Sequence, residues 1–464
     1  MYFRLNDRYE LRGWELLPFG LCDSRTGQIA FIAKKNYMLL YHCDGLHDIC
    51  KESLSQSERD FLDSMVGGGI VSEIPEPYEI SSEQKYIKYD SRLIKAVQWS
   101  ITGKCNFKCK HCFMSAPHAK LGELPHDDCV RIIHELASCG IRQISLTGGE
   151  PLIRKDFFEL VDELEKNKIV LTGIYSNGKL VTNELLDKFE ERGLHPVIHM
   201  SFDGVGWHDW LRGVPGAEEM ALNAFRLCQK REFDTTAEMC IHRNNVLTFR
   251  KTIKLLGELG VSHLKVNGAS PLGEWVERSE LTLSRKELND IFLEYVRQFF
   301  EEGMPVGISL AGCFACGKNS VQYGLPNCKY AMDCDCGNRS VCGHARNSLY
   351  ISPEGFALPC MIVANTGLRN EFPNILEVPL RDILKDSIYM KIIDIRMNDY
   401  LEHNPDCLKC EYKNLCGAGC RGLAIGSGST DYLSVDEDTC YFFMEGYHNK
   451  VKAVANEAIS KLRV

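Results

Sequence analysis

Cysteine is unusually abundant and unevenly placed in this chain, and it constrains the fold more than any other sequence feature. Of 464 residues 22 are cysteine, and three groups at 105–112, 313–342 and 407–420 hold three, six and four of them. Scattered thiols are typical of packing residues, whereas thiols at short spacing are typical of metal ligands. We expect a cytoplasmic protein, because the N-terminal residues lack a secretory signal and no apolar run is long enough to span a membrane. Cytoplasmic thiols stay reduced, so the groups predict metal sites rather than disulfides.

Charge and composition limit the classes of partner. The formal net charge is −9, and hydrophobic residues make up 44% of the chain. An acidic chain is not expected to bind nucleic acid or an anionic membrane over a broad surface. The hydrophobic content is enough for a large core. We therefore expect a globular protein with no nucleic-acid partner and no membrane partner.

Hydrophobic periodicity divides the chain into three regions and a final helix. In the first, strands predicted at 17–22 and 28–32 precede helices at 34–43 and 57–65, which is a winged-helix-like order. The third is rich in loops and cysteine, and metal coordination would supply stability that burial alone does not. The predicted domains are a winged-helix-like domain at 1–75, a polar linker at 76–91, a barrel at 92–310, a cysteine-rich domain at 311–440 and a C-terminal helix at 441–464.

The middle region alternates strand-like apolar runs with helical patterns. Strands are predicted at 94–100, 142–146, 170–175, 197–202, 235–241 and 263–266. Such β–α units imply parallel strands joined by right-handed crossovers. The predicted fold class is therefore α/β, with a partial (β/α)6 barrel whose site lies at the carboxyl ends of its strands.

A cysteine triad, Cys105-x3-Cys109-x2-Cys112, follows the first predicted barrel strand. Three thiolates at this spacing can bind three irons of a 4Fe–4S cluster, whereas four cysteines would saturate it. The remaining iron would keep an open position for a substrate or cofactor. The alternative is a zinc or structural site in which His111 supplies the fourth ligand.

A glycine pair and an acidic residue follow the second predicted strand, in Thr147-Gly148-Gly149-Glu150-Pro151. Glycine lets the backbone approach a ligand closely, and a glutamate accepts hydrogen bonds from an ammonium group. With the cysteine triad, this motif resembles the radical S-adenosylmethionine (SAM) superfamily. The resemblance implies that SAM chelates the open iron while Gly148, Gly149 and Glu150 hold its amino group. It also implies reductive cleavage of SAM to a 5′-deoxyadenosyl radical, which abstracts a hydrogen atom from the substrate.

Polar residues also follow the third and fourth predicted strands. By the same resemblance, Ser176, Asn177, Ser201 and Asp203 approach the ribose and carboxylate of SAM, and Arg212 pairs with that carboxylate. The alternative is ordinary turn chemistry, since Asn-Gly and Asp-Gly pairs favour turns.

The C-terminal cysteines resemble the SPASM extension of peptide-maturing radical SAM enzymes. The resemblance implies two auxiliary 4Fe–4S clusters, although tetrahedral zinc also accepts four thiolates. The first set of predicted ligands is Cys336, Cys342, Cys360 and Cys420, and the second is Cys407, Cys410, Cys416 and Cys440.

Four cysteines exceed this pattern. They are candidate ligands of a third auxiliary cluster or a zinc ion, or one replaces Cys336, or one is a free reactive thiol. These are Cys313, Cys316, Cys328 and Cys334.

Residues 1–75 resemble the precursor-recognition element of ribosomal peptide biosynthesis. The resemblance rests on the stretch from Tyr9 to Leu17, on Asp44-Gly45, and on the order of strands and helices. It implies a precursor peptide whose leader pairs with an exposed sheet edge. The alternative is a domain with no part in recognition.

These features together predict a radical SAM peptide maturase that joins cysteine sulfur to carbon in thioether crosslinks, as in sactipeptides and ranthipeptides. A flavodoxin or ferredoxin is the expected reductant. Carbon–carbon or ether crosslinking, epimerisation and decarboxylation are alternatives within the same class. Formylglycine formation is disfavoured because Met361 follows Cys360 where sulfatase-maturating relatives carry an aspartate. An electron-transfer protein without catalysis is the alternative from another class.

Overall fold

The N-terminal module holds two small sheets and two helices. The computed structural model describes residues 2–270, 272–426, 429 and 431–462. One sheet has the strand order β5-β1-β6 and the other β4-β3-β2-β7. The elements are β1 Tyr2–Leu5, β2 Tyr9–Glu15, β3 Leu17–Asp23, β4 Ile29–Phe31, α1 Lys34–His42, β5 Asp44–Asp48, α2 Gln56–Gly67, β6 Val71–Ile74 and β7 Ile87–Arg92.

Local sequence explains most of this module. A capping box between Ser55 and Glu58 begins α2. The apolar faces of the strands and helices meet around Phe3, Leu11 and Leu62, each at most 1% exposed. The two predicted strands and two predicted helices are confirmed, but β1, β2, β5 and β6 were not predicted, and β5 lies between the two helices. The prediction of a linker throughout 76–91 is wrong at its end, because β7 begins at residue 87 and pairs in parallel with β2.

The barrel is built from seven consecutive parallel strands, each hydrogen-bonded to the next, with register shifts in the β8–β9 and β9–β10 pairs. The six predicted strands are confirmed. A seventh strand, β14, was not predicted, because its four residues are too few to show a pattern. The elements are β8 Ala96–Thr102, α3 His126–Ser138, β9 Gln143–Gly148, α4 Phe157–Lys166, β10 Val170–Ser176, α5 Asn183–Glu190, β11 Val197–Ser201, α6 His208–Arg212, α7 Ala217–Lys230, β12 Thr235–Ile241, α8 Phe249–Glu258, β13 His263–Gly268, α9 Arg285–Glu301 and β14 Gly307–Leu310.

The cysteine-rich region extends both edges of the barrel sheet. β15 and β16 add antiparallel to β14, while β17 adds parallel to β8 and carries β18. The sheet therefore has eleven strands, in the order β16-β15-β14-β13-β12-β11-β10-β9-β8-β17-β18. The four strands that the cysteine-rich region adds, and the helix that precedes β17, are β15 Phe314–Cys316, β16 Tyr323–Gly324, α10 Gly343–Asn347, β17 Ser348–Ile351 and β18 Ala357–Leu358.

Short helices make up most of the rest. The single C-terminal helix predicted at 441–464 is instead two helices, because Gly446 between them has a φ of +69°. The second packs against α9, where Tyr447 Oη donates to Asp290 Oδ1 at 2.6 Å. The helices are α11 Leu380–Ile383, α12 Ile388–Ile393, α13 Met397–His403, α14 Pro405–Lys409, α15 Lys413–Cys416, α16 Arg421–Gly426, α17 Glu437–Met444 and α18 Tyr447–Leu462. In the part of the chain that the structure describes, no helix has the length and apolarity needed to cross a membrane.

Candidate active site and cluster-binding sites

The triad of Cys105, Cys109 and Cys112 lies on one loop that follows β8 at the carboxyl edge of the sheet. The three thiols are electrostatic neighbours, and burial raises the pKa of Cys105 to about 12. A buried thiolate needs a positive partner, and a bound metal provides one. Three thiols from one short loop therefore suit a cluster that leaves one iron without a protein thiolate.

The zinc alternative gains no support from the structure. Across the described residues, no three Cys, His, Asp or Glu side chains converge closely enough to hold a single metal ion. His111 has a buried Nδ1 atom without a hydrogen-bond partner. Its largest electrostatic interactions are with Arg212, Asp203 and two histidines.

The glycine pair holds the cysteine loop against β9. The amide of Gly149 donates to Thr102 O at 2.8 Å, and that of Glu150 donates to Lys104 O at 2.9 Å. A Cβ atom on Gly148 would lie 2.3 Å from Thr102 O, and one on Gly149 would lie 2.1 Å from Lys104 O. Gly148 also has a φ of +146°. The glycines were predicted to allow approach to a cofactor, whereas the close approach in the structure is to the backbone of the cysteine loop.

Glu150 is a fully buried carboxylate beside the triad. It accepts hydrogen bonds from Asn177 N at 2.8 Å, from Leu152 N at 3.2 Å and from Ser176 Oγ at 3.1 Å. Burial raises the pKa of Glu150 to about 7 against the opposing effect of these donors. An ammonium group beside it would favour the ionised form.

Asn177 connects the end of β10 to the cysteine loop. Its Nδ2 donates to Asn106 Oδ1 at 2.7 Å, next to Cys105 in the chain. Ser201 ends β11 in register with Glu238, and its side chain is only partly buried. The structure thus brings Ser176 and Asn177 to Glu150, while Ser201 lies on a neighbouring strand end.

Asp203 and Arg212 form a buried ion pair behind the triad. Arg212 Nε donates to Asp203 Oδ2 at 2.6 Å, and Arg212 Nη1 donates to Cys109 Sγ at 3.8 Å. The amide of Cys240 donates to Asp203 Oδ1 at 3.0 Å. Although burial raises it, the Arg212 guanidinium holds the pKa of Asp203 well below its usual range. Both residues were predicted to approach a cofactor, but these contacts engage them with each other and with the triad.

Further residues, which were not predicted from the sequence, hydrogen-bond to Asp203 and to the cysteine loop. His208 Nδ1 accepts from the amide of Asp203 at 3.0 Å, and Asn245 Nδ2 donates to Asp203 O at 2.7 Å. The cysteine loop donates two backbone hydrogen bonds to the end of α6. Lys108 N donates to Arg212 O at 3.2 Å, and Lys110 N donates to Leu211 O at 2.8 Å. Apart from the contact between Asp203 and His208, these hydrogen bonds join distant segments, so local spacing does not predict them.

The second auxiliary site is a pocket in the cysteine-rich region where four predicted ligands meet. Apolar and aromatic side chains, including Met397, Tyr400, Tyr412 and Phe443, line the same pocket. Four thiols around one pocket suit an iron–sulfur cluster, whereas no three described side chains are close enough to hold a single zinc ion. The four thiols are Cys407, Cys410, Cys416 and Cys440.

The first auxiliary site gathers three of its four predicted thiols. Cys360 is an electrostatic neighbour of both Cys342 and Cys420. A Cβ atom on Gly422 would lie 3.2 Å from Cys360 Sγ and 3.7 Å from Cys420 Sγ. Gly422 therefore leaves room around these sulfurs that a larger residue would occupy.

Cys336, the fourth predicted ligand of this site, lies elsewhere in the structure. Its side chain is 3% exposed in a small apolar cluster against which Cys407 also packs. Its Sγ donates to Asn414 Oδ1 at 3.1 Å, and Cys334 is an electrostatic neighbour. The contacts of Cys336 are thus on the side of the second auxiliary site.

The surplus cysteines do not converge among the described residues. Cys313 Sγ donates to Asn289 Oδ1 at 3.3 Å, and Cys316 Sγ donates to Ser320 O at 3.1 Å. Cys328 packs at the edge of the main core, while Cys334 packs against the cluster around Cys336. These placements give no support to a third metal site built from the four.

Two protein families match this chain. The profile of the Radical SAM superfamily matches residues 99–256, and that of SPASM, an iron–sulfur cluster-binding domain, matches residues 342–411. These matches span the triad and four of the predicted auxiliary ligands, Cys342, Cys360, Cys407 and Cys410. The chain therefore carries a radical SAM domain and a SPASM domain.

Relatives in sequence act on two kinds of substrate, by their names. An AdoMet-dependent heme synthase of Methanosarcina barkeri is 28% identical over 363 residues, covering 75% of this chain and 96% of the relative. A PqqA peptide cyclase of Granulibacter bethesdensis is 27% identical over 346 residues, covering 73% of this chain and 85% of the relative.

Similarity of fold extends further along the chain. Streptococcus suis SuiB, solved bound to the precursor peptide SuiA, superposes with a TM-score of 0.64 at 15% identity. The match covers 94% of this chain and 99% of SuiB. It therefore includes most of the N-terminal module as well as the barrel and the cysteine-rich region.

Proposed function

We propose that this chain, a radical SAM enzyme with a SPASM domain, is a peptide maturase that forms thioether crosslinks in a ribosomally made precursor peptide. One observation carries the proposal: the whole architecture, including the N-terminal module, matches a protein solved with its precursor peptide bound. The cysteine triad supplies the radical chemistry, and the N-terminal module supplies a surface that binds the leader of the peptide.

The N-terminal module offers an open sheet edge in a fixed orientation. Within the described residues, β4 pairs with β3 alone, and Phe31 at its end is 42% exposed. An extended leader can add to such an edge by backbone hydrogen bonds and fill neighbouring apolar pockets. The module is anchored to the barrel by Trp14 Nε1, which donates to Cys139 O at 2.9 Å, and by a buried Glu10–Arg142 pair at 3.2 Å.

The barrel site supplies positions for the cofactor. With SAM bound at the open iron, the reduced cluster provides the radical chemistry that removes hydrogen from an unreactive carbon. Glu150 would accept hydrogen bonds from the ammonium group of SAM, Asn177 holds the loop beside Cys105, and Arg212 orients Cys109 from behind. Burial of these groups keeps water from the reacting atoms.

The first auxiliary site supports thioether chemistry in particular. Cys342, Cys360 and Cys420 would hold a cluster with three protein thiolates, to which the thiolate of a substrate cysteine could add. Each crosslink would remove two hydrogens from the peptide, one as an atom from the carbon and one as the thiol proton, and the cluster held by these thiols would supply an acceptor for the remaining electron. A flavodoxin or ferredoxin supplies the electron that starts each cycle.

A tetrapyrrole substrate is the second candidate, and the heme synthase relative favours it. That relative matches 75% of this chain, whereas the SuiB match covers 94%. The open sheet edge of β4 suits strand addition by an extended peptide, which a tetrapyrrole cannot make. Crosslinking through carbon–carbon or ether bonds, epimerisation and decarboxylation stay as alternatives within peptide chemistry.

Reconstitution tests the proposed function directly. The anaerobic protein with iron, sulfide, dithionite, SAM and a precursor from a neighbouring gene should yield 5′-deoxyadenosine and a peptide lighter by about 2 Da per crosslink. The crosslinked cysteine should resist alkylation. Peptide of unchanged mass, or turnover of a porphyrin instead, would overturn thioether formation.

The leader surface has its own test. Phe31→Asp, at the open edge of β4, should weaken binding of a labelled leader at least tenfold and raise KM with little change in kcat. Ile388→Asp is the matched control, because Ile388 is a partly exposed apolar residue outside the module (36% exposed). Equal affinity in both variants would contradict leader binding at this edge.

A further inference from the structure

The two auxiliary sites are joined by a three-residue bridge. Cys416 belongs to the second site and Cys420 to the first, and only Gly417, Ala418 and Gly419 separate them. All three bridge residues have left-handed backbone, with φ of +52°, +68° and +61°. Such a run is rare outside glycine and needs support from its surroundings. The bridge therefore sets the separation of the two sites only if other residues hold it in place.

Lys329 holds the bridge from one side. Its Nζ donates to Gly417 O at 2.8 Å, to Gly419 O, and to Val341 O at 3.2 Å, and Val341 directly precedes Cys342. A Cβ atom on Gly417 would lie 2.8 Å from Lys329 Cδ. One ammonium group thus ties together the loops that carry ligands of both sites.

Asp436 holds the bridge from the other side. Its Oδ2 accepts from the amide of Cys420 at 2.7 Å, and its side chain begins α17, which carries Cys440. A Cβ atom on Gly419 would lie 2.6 Å from Asp436 Oδ2. Several amide donors and a helix N-terminus already compensate the charge of this carboxylate.

The charge of Lys329 is compensated differently. Among the described residues, its hydrogen bonds go to carbonyl oxygens, and no ion pair with a carboxylate is found. Its electrostatic neighbours are Cys342, Cys416 and Cys420, from both auxiliary sites, together with one cation, Arg421. A fixed positive charge near an iron–sulfur cluster stabilises the reduced form, which carries one more negative charge.

We propose that Lys329 is a positioning residue that fixes the bridge between the two auxiliary clusters and raises their reduction potentials. The inference rests on the two auxiliary clusters of the proposed function. It concerns residues outside the triad, so the cluster held by Cys105, Cys109 and Cys112 serves as an internal reference.

The test is a redox titration of the full-length reconstituted protein, followed by electron paramagnetic resonance. In Lys329→Met, the oxidised-to-reduced ratio of the auxiliary clusters at fixed ambient potential should rise about tenfold, a fall of ~59 mV in potential for a one-electron couple. The reduction potential of the reference cluster should not change. Lys329→Arg should restore most of the potential, and Lys318→Met, at an exposed lysine of the same region, should match the wild type.

Iron content separates the outcomes. Unchanged potentials in a fully loaded Lys329→Met protein overturn the inference. If that variant loses auxiliary iron, Lys329→Gln, which keeps a donor without the charge, replaces it in the titration. Iron loss in both neutral variants but not in Lys329→Arg supports the positioning role, whereas iron loss in Lys329→Arg as well overturns it. A wild-type protein with only about four irons per chain would instead refute the auxiliary clusters themselves.

Discussion

The barrel site and the cysteine-rich region hold their thiols in different ways. The triad comes from one loop, which adjacent parallel strands and the buried Asp203–Arg212 pair support from behind. The auxiliary thiols come from residues between 342 and 440 on short helices and loops, and the apolar cluster beside the second site has only six buried residues. A site supported by a large sheet is preformed, whereas one with so small a core depends on its metal.

Removing one triad ligand gives the largest expected effect on activity. Cys112→Ala should lower 5′-deoxyadenosine formation by about a thousandfold or more, because the cluster loses a ligand and its iron no longer positions SAM. Auxiliary iron and the melting temperature should stay close to wild type. Iron analysis and calorimetry check both, and collapse of the whole fold would contradict the idea of a preformed barrel site.

Metal removal tests the opposite region. After chelation under reducing conditions, amide hydrogen exchange should accelerate strongly across 397–420 while β8 to β13 stay protected. The physical reason is that metal binding supplies folding free energy to a segment whose buried residues form only a small cluster apart from the main core. Mass spectrometry of exchanged peptides measures this, and uniform loss of protection in both regions would remove the contrast.

A glycine substitution probes how tightly the triad loop is held. Gly149→Ala should destabilise the protein by about 2–4 kcal/mol and lower cluster occupancy, since the added Cβ would meet the backbone carbonyl of Lys104. Gly193→Ala is the control, because Gly193 has a φ of +65° but nothing within 4 Å of an added Cβ. Gly193→Ala should lower the free energy of unfolding by only about 1 kcal/mol. Denaturant unfolding of both variants measures this difference, and an equal loss of stability in the two would contradict close packing at Gly149.

The smallest effect is expected where the two regions meet at the surface. Arg285 on α9 pairs with Glu437 at 2.6 Å on α17, and both side chains are exposed. Arg285→Ala should cost about 0–1 kcal/mol and leave both kinds of cluster intact, because exposed ion pairs are screened by water and salt. A loss of several kcal/mol in thermal unfolding would show that this contact, rather than the shared sheet, joins the regions.

Local pattern was enough to predict much of the fold and of the ligand set. The six longer barrel strands, the glycine–glutamate motif and the order of the C-terminal cysteines were identified because period, turn chemistry and ligand spacing are local properties. Short elements such as β14, with four residues, and β18, with two, carry too little pattern for this. The strand β7 was not predicted, because it begins within a polar segment.

Contacts between distant segments were decided by the tertiary structure alone. Pairing of β17 with β8, the contact of Arg212 with Cys109, and the hydrogen bonds of Lys329 to the bridge all join residues far apart in the chain. Cys336 shows the limit most clearly, since its spacing predicts one site and its packing lies beside the other. Spacing records which residues can reach a common metal, whereas burial and backbone closure over the whole chain determine which of them do.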